Sequence, residues 1–227
     1  MSYLIQQVLN SEELLTIEEI LASTDAWCDG KYTLVSKNRD DNTTKNNYEL
    51  SQQSEDHTKL SDIVYKAVDR CVNFADYTLP KESGPILFSK AEKGCYYKPH
   101  FDAVHLGEYA NTLFLSDPNK YSGGELSLMI DGCPKKFKLK AGSMVTYLCG
   151  RPHQVCEVTE GTRKAAVFWT RSKIKNSRQR QMYSDLQRAT RLMPPPLVHD
   201  TLESSQTEPL FLIEQVMHDI LRYGEDL

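Results

Sequence analysis

The sequence predicts an α+β protein whose centre is mainly β: a jelly roll or sandwich of antiparallel strands, with supporting helices before it and a helical extension after it. Three observations lead there. From about Ile86 to Thr170, short β-rich runs are separated by Gly123-Gly124, Asp131-Gly132, Ala141-Gly142 and Gly161, turn signals at roughly ten-residue intervals of the kind antiparallel strands require. Upstream, Leu60, Ile63, Val64, Ala67, Val68, Cys71 and Val72 fall at i, i+3, i+4, i+7, the stripe of an amphipathic helix lying on a core. Beyond Ser172 the helical period returns. The implied division is 1–85 as an N-terminal helical support packed on the barrel, 86–172 as the jelly-roll core and 173–227 as a C-terminal helical extension.

The first 22 residues read as a helix, with Leu14, Ile17, Ile20 and Leu21 on one face and Asn10 or Ser11 able to cap its free backbone N–H groups. It ends before Asp29-Gly30. Between Ser36 and Asp56 the chain turns polar, an exposed loop followed by a short ordered segment. Strands are expected around Leu87-Phe88, Tyr96-Tyr97, Leu113 to Leu115, Leu126 to Ile130, Phe137 to Leu139, Met144 to Tyr147 and Ala165 to Trp169. Asp131-Gly132 suits a tight hairpin. One helix follows over about Arg178 to Arg191 and another over about Leu210 to Tyr223, with a break at Pro194-Pro195-Pro196 between them.

Composition narrows the function. At 227 residues, 40% hydrophobic and 26% charged, the chain suits one globular core. It has no apolar run long enough to span a bilayer and no secretory signal at Met1-Ser2-Tyr3, so no membrane role and a cytoplasmic setting are expected. The six cysteines form no CxxC pair and read as buried thiols in a reducing compartment. A net charge of -4 argues against nucleic acid as a partner. The local basic stretch of Arg171, Lys173, Lys175, Arg178, Arg180, Arg188 and Arg191 also carries Asp185 and reads as a solvated helix face.

The chemistry concentrates at His100-Phe101-Asp102. On an extended strand, residues i and i+2 point to one face, so an imidazole and a carboxylate stand together. His153, 51 residues beyond Asp102 and at the start of another strand-like run, can supply a third ligand. Two histidines and one carboxylate on one side of a metal leave three positions open, which suits Fe(II) binding a bidentate co-substrate and O₂. Ten residues after His153 stands Arg163; a guanidinium inside a barrel calls for an anionic partner, and a five-carbon dicarboxylate offers one end to the metal and the other to that fork.

The segments Tyr97-x-x-His100-x-Asp102, Thr112 to Pro118, Tyr121-x-Gly123-Gly124-Glu125-Leu126 and His153-x-Val155-x-x-Val158-Thr159-x-Gly161-x-Arg163 together resemble the prolyl 4-hydroxylase superfamily of 2-oxoglutarate oxygenases, most closely the bacterial PKHD-type hydroxylases. Lys45-Asn46-Asn47 is similar to a short motif those proteins carry upstream. The resemblance implies a double-stranded β-helix with His100, Asp102 and His153 as ligands of Fe(II) and Arg163 on the distal carboxylate of 2-oxoglutarate. It also implies O₂ as co-substrate, ascorbate as reductant, and release of succinate and CO₂. Asp102 points to hydroxylation of an unactivated C–H bond, because related halogenases lack that carboxylate.

Two departures from the family stand out. Ala91 replaces a tyrosine that the family often has nine residues ahead of the first iron ligand, near the co-substrate; Tyr97 or Tyr96 can compensate, and Tyr97 is taken as the cofactor-binding one. The segment from Ala103 to Asn111 is shorter than in PKHD-type proteins, which weakens transfer of substrate identity. An amino-acid-like small molecule or a peptidyl residue is the expected substrate, with Tyr96, His105, Asn46 and Asn47 as candidates to touch it. Monomer and homodimer are both compatible. Gly123-Gly124 reads as a turn or close strand approach, since no phosphate-binding helix follows. Two other functions stay open: a non-catalytic metal- or 2-oxoglutarate-binding sensor of the same fold, and a zinc hydrolase, which would need a glutamate base beside the histidines.

Overall fold

The computed structural model describes residues 2–33, 44–103, 105–193 and 209–223. The polar run of 36–43 and Pro194-Pro195-Pro196 lie outside them. In chain order the first elements are β1 (Tyr3–Gln7), α1 (Ser11–Ser23), β2 (Trp27–Asp29), β3 (Lys45–Asn46), β4 (Tyr48–Leu50), α2 (Glu55–Asp69), α3 (Val72–Thr78) and β5 (Pro80–Ser83). The central strands are β6 (Leu87–Ala91), β7 (Tyr96–His100), β8 (Tyr109–Phe114), β9 (Tyr121–Gly123), β10 (Leu126–Ile130) and β11 (Cys133–Phe137). Then come β12 (Ser143–Leu148), β13 (His153–Val155), β14 (Val158–Gly161), β15 (Arg163–Ser172), α4 (Ser177–Leu192) and α5 (Pro209–Tyr223).

The strands form an eight-stranded sheet ordered β1-β12-β8-β15-β6-β4-β2, with β5 also on β15, and a five-stranded sheet ordered β11-β10-β13-β7-β3. A short β14-β9 pair completes the set. From β6 onward the chain alternates between the two large sheets: β6, β8, β12 and β15 belong to the larger, β7, β10 and β13 to the smaller. That alternation, with every pairing antiparallel, is the double-stranded β-helix expected from the sequence.

Two apolar layers hold it together. Ala110, Phe114, Val145 and Tyr147 of the larger sheet meet Leu126, Leu128, Ile130 and Phe137 of the smaller one between the sheets. The other face of the larger sheet, through Phe88, Leu113, Met144, Ala166 and Phe168, packs on Ile17 and Leu21 of α1 and Leu60, Val64, Ala67 and Val68 of α2. Burial on both faces explains why these strands read as unbroken apolar runs rather than as alternation.

The N-terminal region is less helical than its sequence suggests. Its first strand, β1, pairs along the edge of β12 with Ile5 opposite Val145, and α1 starts only at Ser11. Asn10 sets that boundary: its side chain accepts from Glu13 N (2.9 Å) while Glu13 accepts from Asn10 N (3.0 Å), a reciprocal capping box. Residues 3–7 lie ahead of the cap and take the open sheet edge instead. The long stripe of α2 also stops early. Ser54 caps its start, and the helix ends at Asp69, so Val72 opens α3 and is exposed.

At the other end, Asp131 and Gly132 both take positive φ (50° and 81°) and form the two-residue turn joining β10 to β11. The basic stretch is partly spent internally: Arg171 pairs with Glu82, Arg191 with Asp76, and buried Arg180 donates to Ile174 O and Lys175 O. All six cysteines are free, but only Cys95 is buried, while Cys28 and Cys133 are exposed. No helix among the described residues is long and apolar enough to cross a membrane.

Leu60, 0% exposed between α2 and the larger sheet, tests this packing. Leu60→Ala should lower the free energy of unfolding by about 2–5 kcal/mol, whereas Leu15→Ala on the exposed face of α1 should stay within about 0.5 kcal/mol of wild type; urea titrations followed by circular dichroism compare the two.

Candidate metal centre

β7 and β13 are neighbours in the smaller sheet, and their register sets His153 opposite His100. Positions 53 residues apart thus become cross-strand partners. Past the end of β7 the chain stays extended enough for its side chains to alternate: Phe101 points outward and is 65% exposed, while His100 and Asp102 turn in. Asp102 Oδ1 stands 3.6 Å from His153 Nε2 and 3.9 Å from His100 Nε2. These are too long for good hydrogen bonds but short enough for three atoms to share one ion. A ligand atom from each residue lies within 4.8 Å of the others, and this is the single such cluster of His, Cys, Asp or Glu among the described residues.

The imidazoles are set by the same local device. His100 Nδ1 is 2.8 Å from Lys98 O and His153 Nδ1 is 2.9 Å from Arg151 O, each two residues back along its own strand. A carbonyl only accepts, so Nδ1 carries the proton in both rings and Nε2 turns its lone pair toward Asp102. Burial, with His153 alongside, pushes His100 down to about 4, so at neutral pH the ring is an uncharged donor of electrons. Two such nitrogens and one carboxylate oxygen can hold a divalent transition metal by one face.

Aromatic rings pack around the ligands. Tyr97 stacks flat on His100 at 3.6 Å, and Tyr147 meets His153 edge-on at 5.7 Å. Burial, with the Asp102 and Glu49 carboxylates nearby, pushes the Tyr97 phenol up to about 12. Tyr147 lies on the inner face of β12 and its place beside the metal ligands was not read from the sequence; the alternation of Val145 and Tyr147 was its only signal. Beneath Tyr97, buried Lys45 bonds Glu49 at 2.5 Å and Thr33 at 2.8 Å, with its ammonium 5.0 Å from the ring centre.

The other candidates are spread around this centre. Arg163 opens β15 opposite Ala91, is 2% exposed, and no described residue accepts a hydrogen bond from its guanidinium; Nε is buried without any partner. The Phe114 ring lies 5.6 Å from its guanidinium carbon. Tyr96 and Asn46 face each other across β7 and β3, and Asn46 donates to Gly94 O. Asn47 donates to Ser89 Oγ (2.9 Å) and its carbonyl receives Gly30 N (2.9 Å); a Cβ at Gly30 would run into the Asn47 side chain. His105 borders a cavity of about 550 Å³, along with Leu106, Leu87, Trp169 and Arg171.

Comparison with known proteins agrees with this geometry. The profile of the 2OG-Fe(II) oxygenase superfamily matches residues 86–171. A PKHD-type hydroxylase of Gluconacetobacter diazotrophicus is 34% identical over 194 residues, covering 81% of this chain and 84% of that protein. One from Paraburkholderia phytofirmans is 31% identical and covers 96% of each. Among solved structures, a Pseudomonas putida prolyl-4-hydroxylase superposes with a TM-score of 0.53 at 18% identity, over 75% of this chain and 92% of that one. A Trichoplax adhaerens prolyl hydroxylase, in complex with a peptide fragment of the hypoxia inducible factor oxygen degradation domain, does so at 0.57 and 16%, over 76% and 84%. The solved structures share the fold, and the sequence relatives decide the family: this chain belongs to the PKHD-type hydroxylases of the 2OG-Fe(II) oxygenase superfamily, and is a 2-oxoglutarate-dependent dioxygenase working with Fe(II), 2-oxoglutarate and O₂.

Proposed function

We propose that His100, Asp102 and His153 hold the Fe(II), that Arg163 binds the distal carboxylate of 2-oxoglutarate, and that the enzyme hydroxylates an unactivated C–H bond of an amino-acid-like small molecule or a peptidyl residue, releasing succinate and CO₂. One observation carries this reading: three ligand atoms converge within 4.8 Å while a buried guanidinium in the same jelly roll lacks an acceptor among the described residues. The donor set fits ferrous ion, since a facial triad leaves positions for a bidentate co-substrate and for O₂. The unmatched guanidinium fits a carboxylate, because a buried cation without a counter-charge is strongly disfavoured and Arg pairs carboxylates in bidentate fashion.

When bound, the iron and co-substrate supply the oxidising chemistry. The chain's own residues position and exclude. Lys98 O and Arg151 O fix both imidazole tautomers, and Tyr97 holds the His100 ring in plane from beside the metal. Tyr147, Val145 and Leu128 close the inner face against water. A substrate enters through the 550 Å³ cavity, whose His105 and Leu106 follow Asp102 by only three and four residues. Its wall includes the Trp169 indole, whose N–H has no acceptor among the described residues, so a substrate carbonyl or carboxylate can receive it. Tyr96, Asn46 and Asn47 flank the β3-β7 edge of the same jelly roll. The peptide bound by the Trichoplax neighbour supports the peptidyl alternative.

Two variants test the assignment. Asp102→Ala should abolish O₂-dependent succinate formation and weaken Mn(II) binding while leaving the circular dichroism spectrum unchanged; full activity would remove the carboxylate from the ligand set. Arg163→Ala should raise the 2-oxoglutarate concentration needed for half-maximal succinate release by roughly 100-fold, from loss of charge-assisted hydrogen bonds, and an unchanged requirement would move the distal carboxylate elsewhere. Anaerobic wild-type protein should show the weak visible absorption of 2-oxoglutarate chelated to Fe(II), and succinate release over a panel of amino acids and peptides then identifies the substrate class.

A further inference from the structure

Arg163 is not the only buried donor left unmatched at its end of the jelly roll. Tyr121, at the start of β9, is 4% exposed and its phenolic oxygen has no hydrogen-bond partner among the described residues. The strand pairing brings the two together. β9 lies antiparallel to β14 with Tyr121 opposite Gly161, and Gly161 precedes Arg163 by two residues. Gly124 lies beneath both side chains: a Cβ there would come within 3.1 Å of Arg163 Cδ and of Tyr121 Cε2. Gly123, Gly124 and Gly161 all take positive φ, and a Cβ at Gly123 or Gly161 would strike the backbone of the opposite strand. The glycine doublet therefore serves close strand approach, and that approach sets the tyrosine against the arginine.

The ring is anchored without using its hydroxyl. Lys138 Nζ donates to Tyr121 O at 2.7 Å and stands 4.3 Å from the ring centre. Burial raises the phenol above its usual range although Arg163 pulls the other way, so Tyr121 keeps its proton at neutral pH and is available as a donor. The guanidinium and the hydroxyl are thus two neighbouring donors, buried, with no acceptor among the described residues. An occupant that offers only acceptors and carries negative charge answers both. By contrast, Tyr97 is influenced by Asp102 and Glu49 and stacks on a metal ligand, which places it at the metal end of the co-substrate.

We propose that Tyr121 donates its phenolic hydrogen to the distal carboxylate of 2-oxoglutarate alongside Arg163, replacing the hydroxyl that Ala91 lacks. This rests on the reading of Arg163 given above and extends it to a second residue. Ala91 lies directly opposite Arg163 on β6, so that position offers the site no hydroxyl. Here the hydroxyl arrives from β9 on the other side.

The test is equilibrium binding by calorimetry to Mn(II)-loaded protein without O₂, comparing 2-oxoglutarate with 2-oxopentanoate, which keeps the metal-chelating end and replaces the distal carboxylate by a methyl group. Tyr121→Phe should weaken 2-oxoglutarate roughly 10-fold or more, as expected for a lost hydrogen bond to a charged group, and leave 2-oxopentanoate unchanged. In turnover, KM for 2-oxoglutarate should rise with little change in kcat. Equal loss for both ligands, or no loss for either, overturns the role of Tyr121. If wild type itself fails to prefer 2-oxoglutarate over 2-oxopentanoate, the Arg163 assignment fails first. Should the variant not fold, the wild-type protein decides: 2-oxoglutarate should perturb the near-ultraviolet tyrosine absorption and 2-oxopentanoate should not, and identical spectra for the two ligands overturn the proposal.

Discussion

A guanidinium inside a β-sandwich must be answered by an anion, and the surroundings of Arg163 are arranged so that the protein does not supply one. Its neighbours are the Phe114 ring, the Gly124 backbone and a tyrosine. No carboxylate of a described residue pairs with it, although Asp102 and Glu49 lie elsewhere in the same jelly roll. Burial lowers the affinity of the group for its proton, but an arginine does not become neutral in any ordinary range. The folded chain therefore holds an uncompensated charge whose cost is relieved when a ligand binds. On the proposed role of Arg163, the fold would in this way favour an anionic co-substrate before the metal has any influence.

The metal end is built from the opposite kind of group. There the protein offers lone pairs and one negative charge, and hides the protons: both Nδ1–H groups are bound to carbonyls two residues back, and the Cys149 thiol is pushed up to about 12 by burial with Asp102 and Glu108 nearby. A thiol held protonated is a poor ligand, so the donor set stays at two nitrogens and an oxygen. A softer set with cysteine would favour zinc and close the coordination shell. Donors at one end and acceptors at the other match a molecule that is an anion throughout its length, with a chelating head for the metal and a carboxylate tail for the cation.

Much of this was legible in the sequence because it depends on short-range periodicity. The i, i+2 spacing of His100 and Asp102 works on any extended segment, and outward Phe101 shows that it does here. The apolar stripe of α2, the hairpin at Asp131-Gly132 and the two C-terminal helices follow from local spacing in the same way. Long-range pairing left fainter traces. β1 was hidden because five residues ahead of a good helix cap give too little period to separate strand from helix, and the edge of β12 that decides the matter lies well over a hundred residues away. β3 is two residues long and exists because β7 offers an edge to it. Tyr121 has no role legible in the sequence beyond its place in the Tyr121-x-Gly123-Gly124 segment, since a tyrosine in a three-residue strand has no pattern of its own; what gives it meaning is the pairing of β9 with β14, which the glycines permit but do not announce.

β15 connects these parts and fixes their order in space. Its outward residues, Ala166 and Phe168, are buried under α1 and α2, so by alternation Arg163, Ala165, Val167, Trp169 and Arg171 form a row along the inner face. The row begins at the buried guanidinium and ends at the 550 Å³ cavity, eight residues or roughly 27 Å away at about 3.4 Å per residue. A five-carbon acid is much shorter than that. On the proposed assignment, with its tail on Arg163 and its head on the metal, it would occupy only the first part of the row, past small Ala165, and leave Trp169 and Arg171 for something else. The same assignment brings the substrate in from the Arg171 end, where the loop after Asp102 comes within reach through His105, whose carbonyl accepts from Arg171 at 2.9 Å. One strand, covered by helices on its far side, would then separate co-substrate from substrate by placing their contacts at opposite ends.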